Sequence, residues 1–134
     1  MKSNRAVGNA FEQELCELLF SYGFWSHNLK QDNSGQPADV IAVKDKIAYL
    51  IDCKDCSSKG FDLRRVEENQ ITAMQLWNEC GNGQGWFALK VNDEVYMLSY
   101  PIVMMFMKGN RRSIPLSEIP KIAHSLGEWV RRCG

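Results

Sequence analysis

The chain predicts a mixed α/β domain built on one central sheet. Residues 4–22 carry Val7, Phe11, Leu15, Leu18, Leu19 and Tyr22 at helical spacing, so an amphipathic helix opens the chain. Five short apolar runs then read as strands, three before and two after a second helical stretch. The resulting order is helix, three strands, helix, two strands, helix. Such an order calls for a sheet with helices packed on it rather than a bundle or a sandwich.

Each element has a local reason. Ser3 or Asn4 can cap the first helix, and Gly23 ends it. Residues 24–29 form a short strand. Residues 30–36 are polar and contain glycine, so they read as a loop. Residues 37–43 and 47–54 are two apolar strands joined by a turn at Lys44-Asp45-Lys46. Residues 55–62 read as a loop of small and polar residues. The second helix is expected over 64–80, with Val66, Ile71, Met74 and Trp77 on its inner side. Gly81-Asn82-Gly83-Gln84-Gly85 is a turn. Residues 86–91 and 94–100 pair through Asn92-Asp93. Pro101 suits a helix start, and residues 102–108 continue that helix. Residues 111–115 are extended, and Ser117 caps a last helix running to Arg132 that contains His124.

The 134 residues, 45% of them apolar, fit a single domain over 1–134 with a genuine core. No run is long enough to cross a membrane, and the N-terminus has no signal-peptide core. Five cysteines are an odd count, which argues against a disulfide framework and for a reducing cytoplasm. The formal net charge is zero, so any nucleic-acid surface must come from local segregation of charge.

The chemistry concentrates at one place. If the hairpin turns about Asp45-Lys46, antiparallel pairing sets Asp39 opposite Asp52. Side chains alternate along a strand, so Asp52 and Lys54 share a face. A solvated Asp-x-Lys pair at a strand end is common and worth little. Here Leu50 and Ile51 mark a strand covered on both faces, which places two carboxylates together at a buried end. They repel, and a divalent ion with a preference for oxygen ligands, magnesium or manganese, relieves the repulsion.

The remaining polar residues have bland readings beside functional ones. Glu12 is a helix carboxylate among Glu14 and Glu17. Cys53 and Cys56 form a Cys-x-x-Cys, with Cys16 and Cys80 as further thiols, but single buried cysteines are ordinary core residues. His27 reads as a partly exposed strand residue. Trp25 and Trp86 read as core rather than as base-stacking platforms. The run Met104-Met105-Phe106-Met107 suits a core or a subunit interface. Lys30, Lys59, Arg64, Arg65, Arg111 and Arg112, with Ser34 in the polar loop, are candidate phosphate contacts.

Taken in order, Gly8-Asn9-Ala10-Phe11-Glu12, Pro37-Ala38-Asp39 and Asp52-Cys53-Lys54 resemble the PD-(D/E)XK nuclease superfamily. Within it the chain resembles Holliday-junction resolvases of the archaeal Hjc type and the bacterial RecU type. Arg111 to Leu116 resembles a RecU-type C-terminal motif, and Asn69-Gln70 resembles the polar position after the lysine strand. The resemblance implies a restriction-endonuclease-like core with a five-stranded mixed sheet flanked by helices. It implies catalytic roles for Glu12, Asp39, Asp52, Lys54 and Gln70. Of these, Glu12, Asp39 and Asp52 would be the Mg2+ or Mn2+ ligands, and Lys54 would orient water or stabilise the phosphate. It further implies a cytoplasmic homodimer cutting four-way or other branched DNA. A restriction-type, repair or phage-defence nuclease on the same fold, and a non-catalytic DNA-binding protein, remain the alternatives.

Overall fold

A computed structural model describes residues 4–29 and 38–133, with side chains described from Ala10 onward. Helix α1 (Asn4–Ser21) leads into strand β1 (Trp25–Asn28). Strands β2 (Val40–Lys44) and β3 (Ile47–Asp55) form the expected hairpin. Its two central turn residues, Asp45 and Lys46, have φ of 53° and 69°. Positive φ at both positions marks the tight turn whose twist matches the flanking strands. That turn fixes the register: Lys44 pairs with Ile47 and Val40 with Ile51. The Asp39 N–H donates to the Ile51 carbonyl at 3.1 Å, carrying the pairing to the strand end.

Beyond β3 come β4 (Phe61–Asp62), a 3-10 turn (Leu63–Arg65) and α2 (Glu68–Trp77), closed by a π turn (Asn78–Asn82). Strands β5 (Trp86–Val91) and β6 (Glu94–Ser99) follow, then α3 (Tyr100–Lys108) and β7 (Ser113–Ile114). Helix α4 (Ile119–Ile122), β8 (His124–Ser125) and α5 (Leu126–Cys133) end the described chain.

Among the described residues the central sheet has six strands in the order β1-β2-β3-β5-β6-β8, and β4 with β7 makes a separate two-stranded sheet. The β3–β5 pair is parallel and the other pairs of the central sheet are antiparallel. A parallel pair needs a crossover, and α2 lies within it. The alternation of β3 divides the core. Ile51 packs with Phe11, Leu15 and Leu19 of α1 and with Trp129 of α5 on one face. Leu50 packs on the other face with Met74 of α2, Val103 of α3 and Ile119 of α4.

Three expectations need correction. The sheet has a sixth strand because His124-Ser125 pairs with Tyr96 and Met97, which interrupts the long terminal helix expected there. The second helix does not begin at Arg64. Residues 63–65 form a separate 3-10 turn, capped by Asp62, whose carboxylate accepts the Arg64 N–H. Trp25 is not core: on the edge strand β1 it is 60% exposed and stacks on His27. Trp86, by contrast, packs edge-on against Trp129.

Candidate active site

The acidic hairpin delivers its charges to one buried spot. Asp52 is fully buried, and Asp39, Lys54 and Gln70 are buried beside it. Lys54 Nζ lies 3.1 Å from Asp52 Oδ2. Two residues of separation on a strand bring both to the Leu50 face, as alternation demands. Cys53, between them, turns to the opposite face and packs on the α1 side of the core. Its backbone N–H donates to Asp39 Oδ2 at 2.7 Å, which anchors that carboxylate across the hairpin.

Gln70 enters from α2. Its Nε2 donates to Asp52 Oδ1 at 2.9 Å, while its Oε1 accepts the Glu67 N–H at 3.0 Å. One amide thus ties the start of α2 to the buried carboxylate. Asp52 Oδ2, although close to Lys54, has no partner in hydrogen-bonding geometry. Its charge is compensated by the Lys54 ammonium, an ion pair without an aligned hydrogen bond.

Burial, then the Asp39 charge, pushes Asp52 well above the usual carboxylate range, although Lys54 pulls the other way. Glu12 of α1 is raised to about 8 by burial, by the Asp39 charge and by a hydrogen bond with Asp39. Without a cation, the three carboxyl groups cannot all ionise together. No three His, Cys, Asp or Glu side chains among the described residues are arranged as a ready cage for an ion. A magnesium ion does not require one, since it commonly takes one or two carboxylates and keeps several waters. The oxygen-only donor set of Asp39, Asp52 and Glu12 fits such an ion.

The other sequence candidates separate clearly. Lys30, Ser34 and Pro37 lie outside the described residues, as do the side chains of Gly8 and Asn9. Lys59, Arg64, Arg65 and Arg112 are exposed. Arg65 Nη1 donates to the Asp55 carbonyl at 2.9 Å, one residue beyond Lys54. Arg111 is held by both oxygens of Glu118, at 2.7 and 2.8 Å, and lies over Phe106. The cysteines do not gather: Cys53 and Cys56 are free, and burial pushes Cys56 to about 12, so it is a packing residue rather than a reactive thiol. His124 sits on β8 with Nδ1 3.7 Å from Glu128.

The model of the archaeal Holliday junction resolvase (Hjc) family matches residues 3–118. This chain belongs to the archaeal Holliday junction resolvase family. It is a resolvase of the PD-(D/E)XK type. Among solved structures it is similar to Archaeoglobus fulgidus Hjc, a Holliday junction resolvase from an archaeal hyperthermophile. The TM-score is 0.69 at 16% identity, with 92% of this chain and 99% of that chain covered, a likeness of fold. No curated protein matches the chain in sequence. Family membership supports an endonuclease function in DNA recombination, and resolvase nucleases generally use divalent metal ions. No helix among the described residues is long and apolar enough to cross a membrane.

Sequence reasoning overlooked one contributor. Asp62, read as the end of a loop, caps the 3-10 turn and pairs with Arg64 at 2.9 Å, so it sets where the basic residues after β3 stand. Its position two residues before Arg64 was the available signal.

Proposed function

We propose that this chain is a magnesium- or manganese-dependent endonuclease that hydrolyses phosphodiester bonds in four-way DNA junctions. The observation that carries the reading is the buried Asp52, with Lys54 and Gln70 on its oxygens and Asp39 opposite, inside a family of junction resolvases. Asp39 and Asp52 would hold the ion, with Glu12 joining directly or through a water. When bound, the ion supplies an activated water and neutralises charge on the phosphate.

The protein's own groups do the rest. Gln70 holds Asp52 by one oxygen and leaves the other directed toward Lys54. The Cys53 N–H orients Asp39. Lys54 places a fixed positive charge where negative charge grows on the phosphate, and burial strengthens it by excluding water. Lys59, Arg64, Arg65 and Arg112 would contact the DNA backbone around this centre.

We read the working unit as a homodimer in the cytoplasm. A two-fold pair of sites suits symmetric cutting of two strands. The test is cleavage, in magnesium, of a four-way junction beside linear duplex, flap and single strand. Preferential paired nicks in the junction support the reading. Equal cutting of every substrate returns the chain to the restriction, repair or defence alternatives, and no cutting to the non-catalytic one.

A further inference from the structure

The small β4–β7 sheet builds a second feature beside the proposed centre. Phe61 pairs with Ile114 and Asp62 with Ser113, and the Leu63 N–H donates to the Arg112 carbonyl at 2.9 Å. This pairing sets the 3-10 turn after β4 against the loop after α3, and a groove of about 500 Å³ lies between them. Leu63, Val66 and Met107 line its apolar part. Arg64, Asn110 and Arg112 line its polar part.

The three arginines at this groove are not equivalent. Arg111 is spent on Glu118 and serves as a strut for the loop. Arg64 is paired with Asp62, but its side chain is 74% exposed and can turn to another anion. Arg112 is exposed and, among the described residues, its side chain has no hydrogen-bond or ion-pair partner. Asn110, at φ 62°, takes the left-handed turn that brings Arg111 and Arg112 back over the groove. Guanidinium groups are suited to phosphate oxygens, and an apolar strip in the same groove suits deoxyribose. In a chain of zero net charge, Asp62 and Glu118 offset Arg64 and Arg111 here, and Arg112 is the groove arginine left without a carboxylate among the described residues.

We propose that this groove is a phosphate clamp for the DNA backbone, with Arg112 and Arg64 as its contacting groups and Arg111 as its support. The inference rests on the junction-nuclease reading and gives it a backbone contact outside the metal centre. Arg65 links the two regions, since it follows Arg64 directly and holds the Asp55 carbonyl at the end of β3. A strand seated in the clamp would therefore be registered against Lys54. The contact is to backbone, so it holds a duplex arm irrespective of base sequence.

The test measures binding of a four-way junction, and of a linear duplex with the same arm sequence, across a salt series without divalent ions. Arg112→Ala and Arg64→Ala should each weaken both complexes roughly three- to ten-fold and flatten the log K against log salt slope by about 0.9 per lost contact. Arg112→Glu should weaken them further. Arg131→Ala, an exposed arginine of α5 on the other face of the sheet, should change neither quantity. Both clamp positions are exposed, and matching thermal melts would verify that the variants fold. Unchanged affinity and slope in Arg112→Ala and Arg112→Glu would overturn the clamp while leaving the nuclease reading intact. A parent protein that binds neither DNA would overturn both.

Discussion

Lys54 Nζ stands 3.1 Å from Asp52 Oδ2, and both groups are buried at the end of one strand. Neither partner can be removed without exposing the other as an uncompensated charge. The pair is therefore the first place to test chemistry against structure. Lys54→Ala should lower single-turnover cleavage by about 10²–10³-fold, the scale for losing a group that stabilises developing charge. Asp39→Asn should abolish magnesium-dependent cleavage, while its amide oxygen can still accept the Cys53 N–H. Both variants should keep most junction binding in a gel-shift measurement. Full activity in either one would remove that residue from the mechanism.

Gln70 offers a test of positioning. Gln70→Leu leaves Asp52 Oδ1 and the Glu67 N–H without their partners. Loss of such buried hydrogen bonds costs about 1–3 kcal/mol, visible as a lower Tm. Because Asp52 then loses its orientation, the magnesium concentration needed for half-maximal rate should rise more than the junction KM does. Gln70→Asn, a shorter amide, should fall between the parent and the leucine variant. A Tm loss with an unchanged magnesium requirement would make Gln70 purely structural.

The crowded carboxyls predict an inverse pH dependence of stability for the metal-free protein. Glu12 is raised from 4.5 to about 8, so between those values the folded chain holds a proton that the unfolded chain has released. Stability gained from that proton declines as pH rises through the window and is lost above the folded value. Asp52, shifted in the same direction, adds to the trend. Melting in a chelator should show Tm falling from about pH 5 to about pH 8. Glu12→Gln should flatten the fall, and added magnesium should offset it, with affinity increasing as the carboxyls deprotonate. A Tm that rises with pH in the chelator would contradict the proposed crowding.

Gly60 tests how the small sheet is held. Its φ is 85°, and an added Cβ would collide with the Ile114 carbonyl oxygen. Gly60→Ala forces either the left-handed residue or the β4–β7 pairing to yield, at a cost of about 1–3 kcal/mol for the backbone alone. The expected outcome is a reduced Tm together with weaker junction binding, since Leu63 and Arg112 lose their shared hydrogen bond. A stability equal to the parent's would show that this sheet tolerates separation.

Much of the centre was legible because it is local. The turn at Asp45-Lys46 and the period of two along the flanking strands are short-range properties, and they place Asp39 against Asp52 and Lys54 beside Asp52. Glu12 was different: helical spacing could not separate it from Glu14 and Glu17, and only the family pattern marked it. Helix periodicity likewise ran through Arg64 and His124. The breaks there come from partners distant in sequence, Ile114 opposite Phe61 and Met97 opposite His124. Trp25 was misread for a related reason. A strand's apolar content does not say whether it lies at the sheet edge, and β1 does.

The sequence by itself determined the layered α/β class, the acidic hairpin and the shared face of Asp52 and Lys54, because backbone alternation and turn chemistry act over a few residues. The tertiary structure decided that Gln70 would hold one Asp52 oxygen, that Glu12 would press on Asp39, and that Arg111 would be tied up while Arg112 stayed open. Those outcomes depend on how separately folded segments dock. Docking follows from the packing of buried apolar side chains on the two faces of the sheet, which no local pattern encodes.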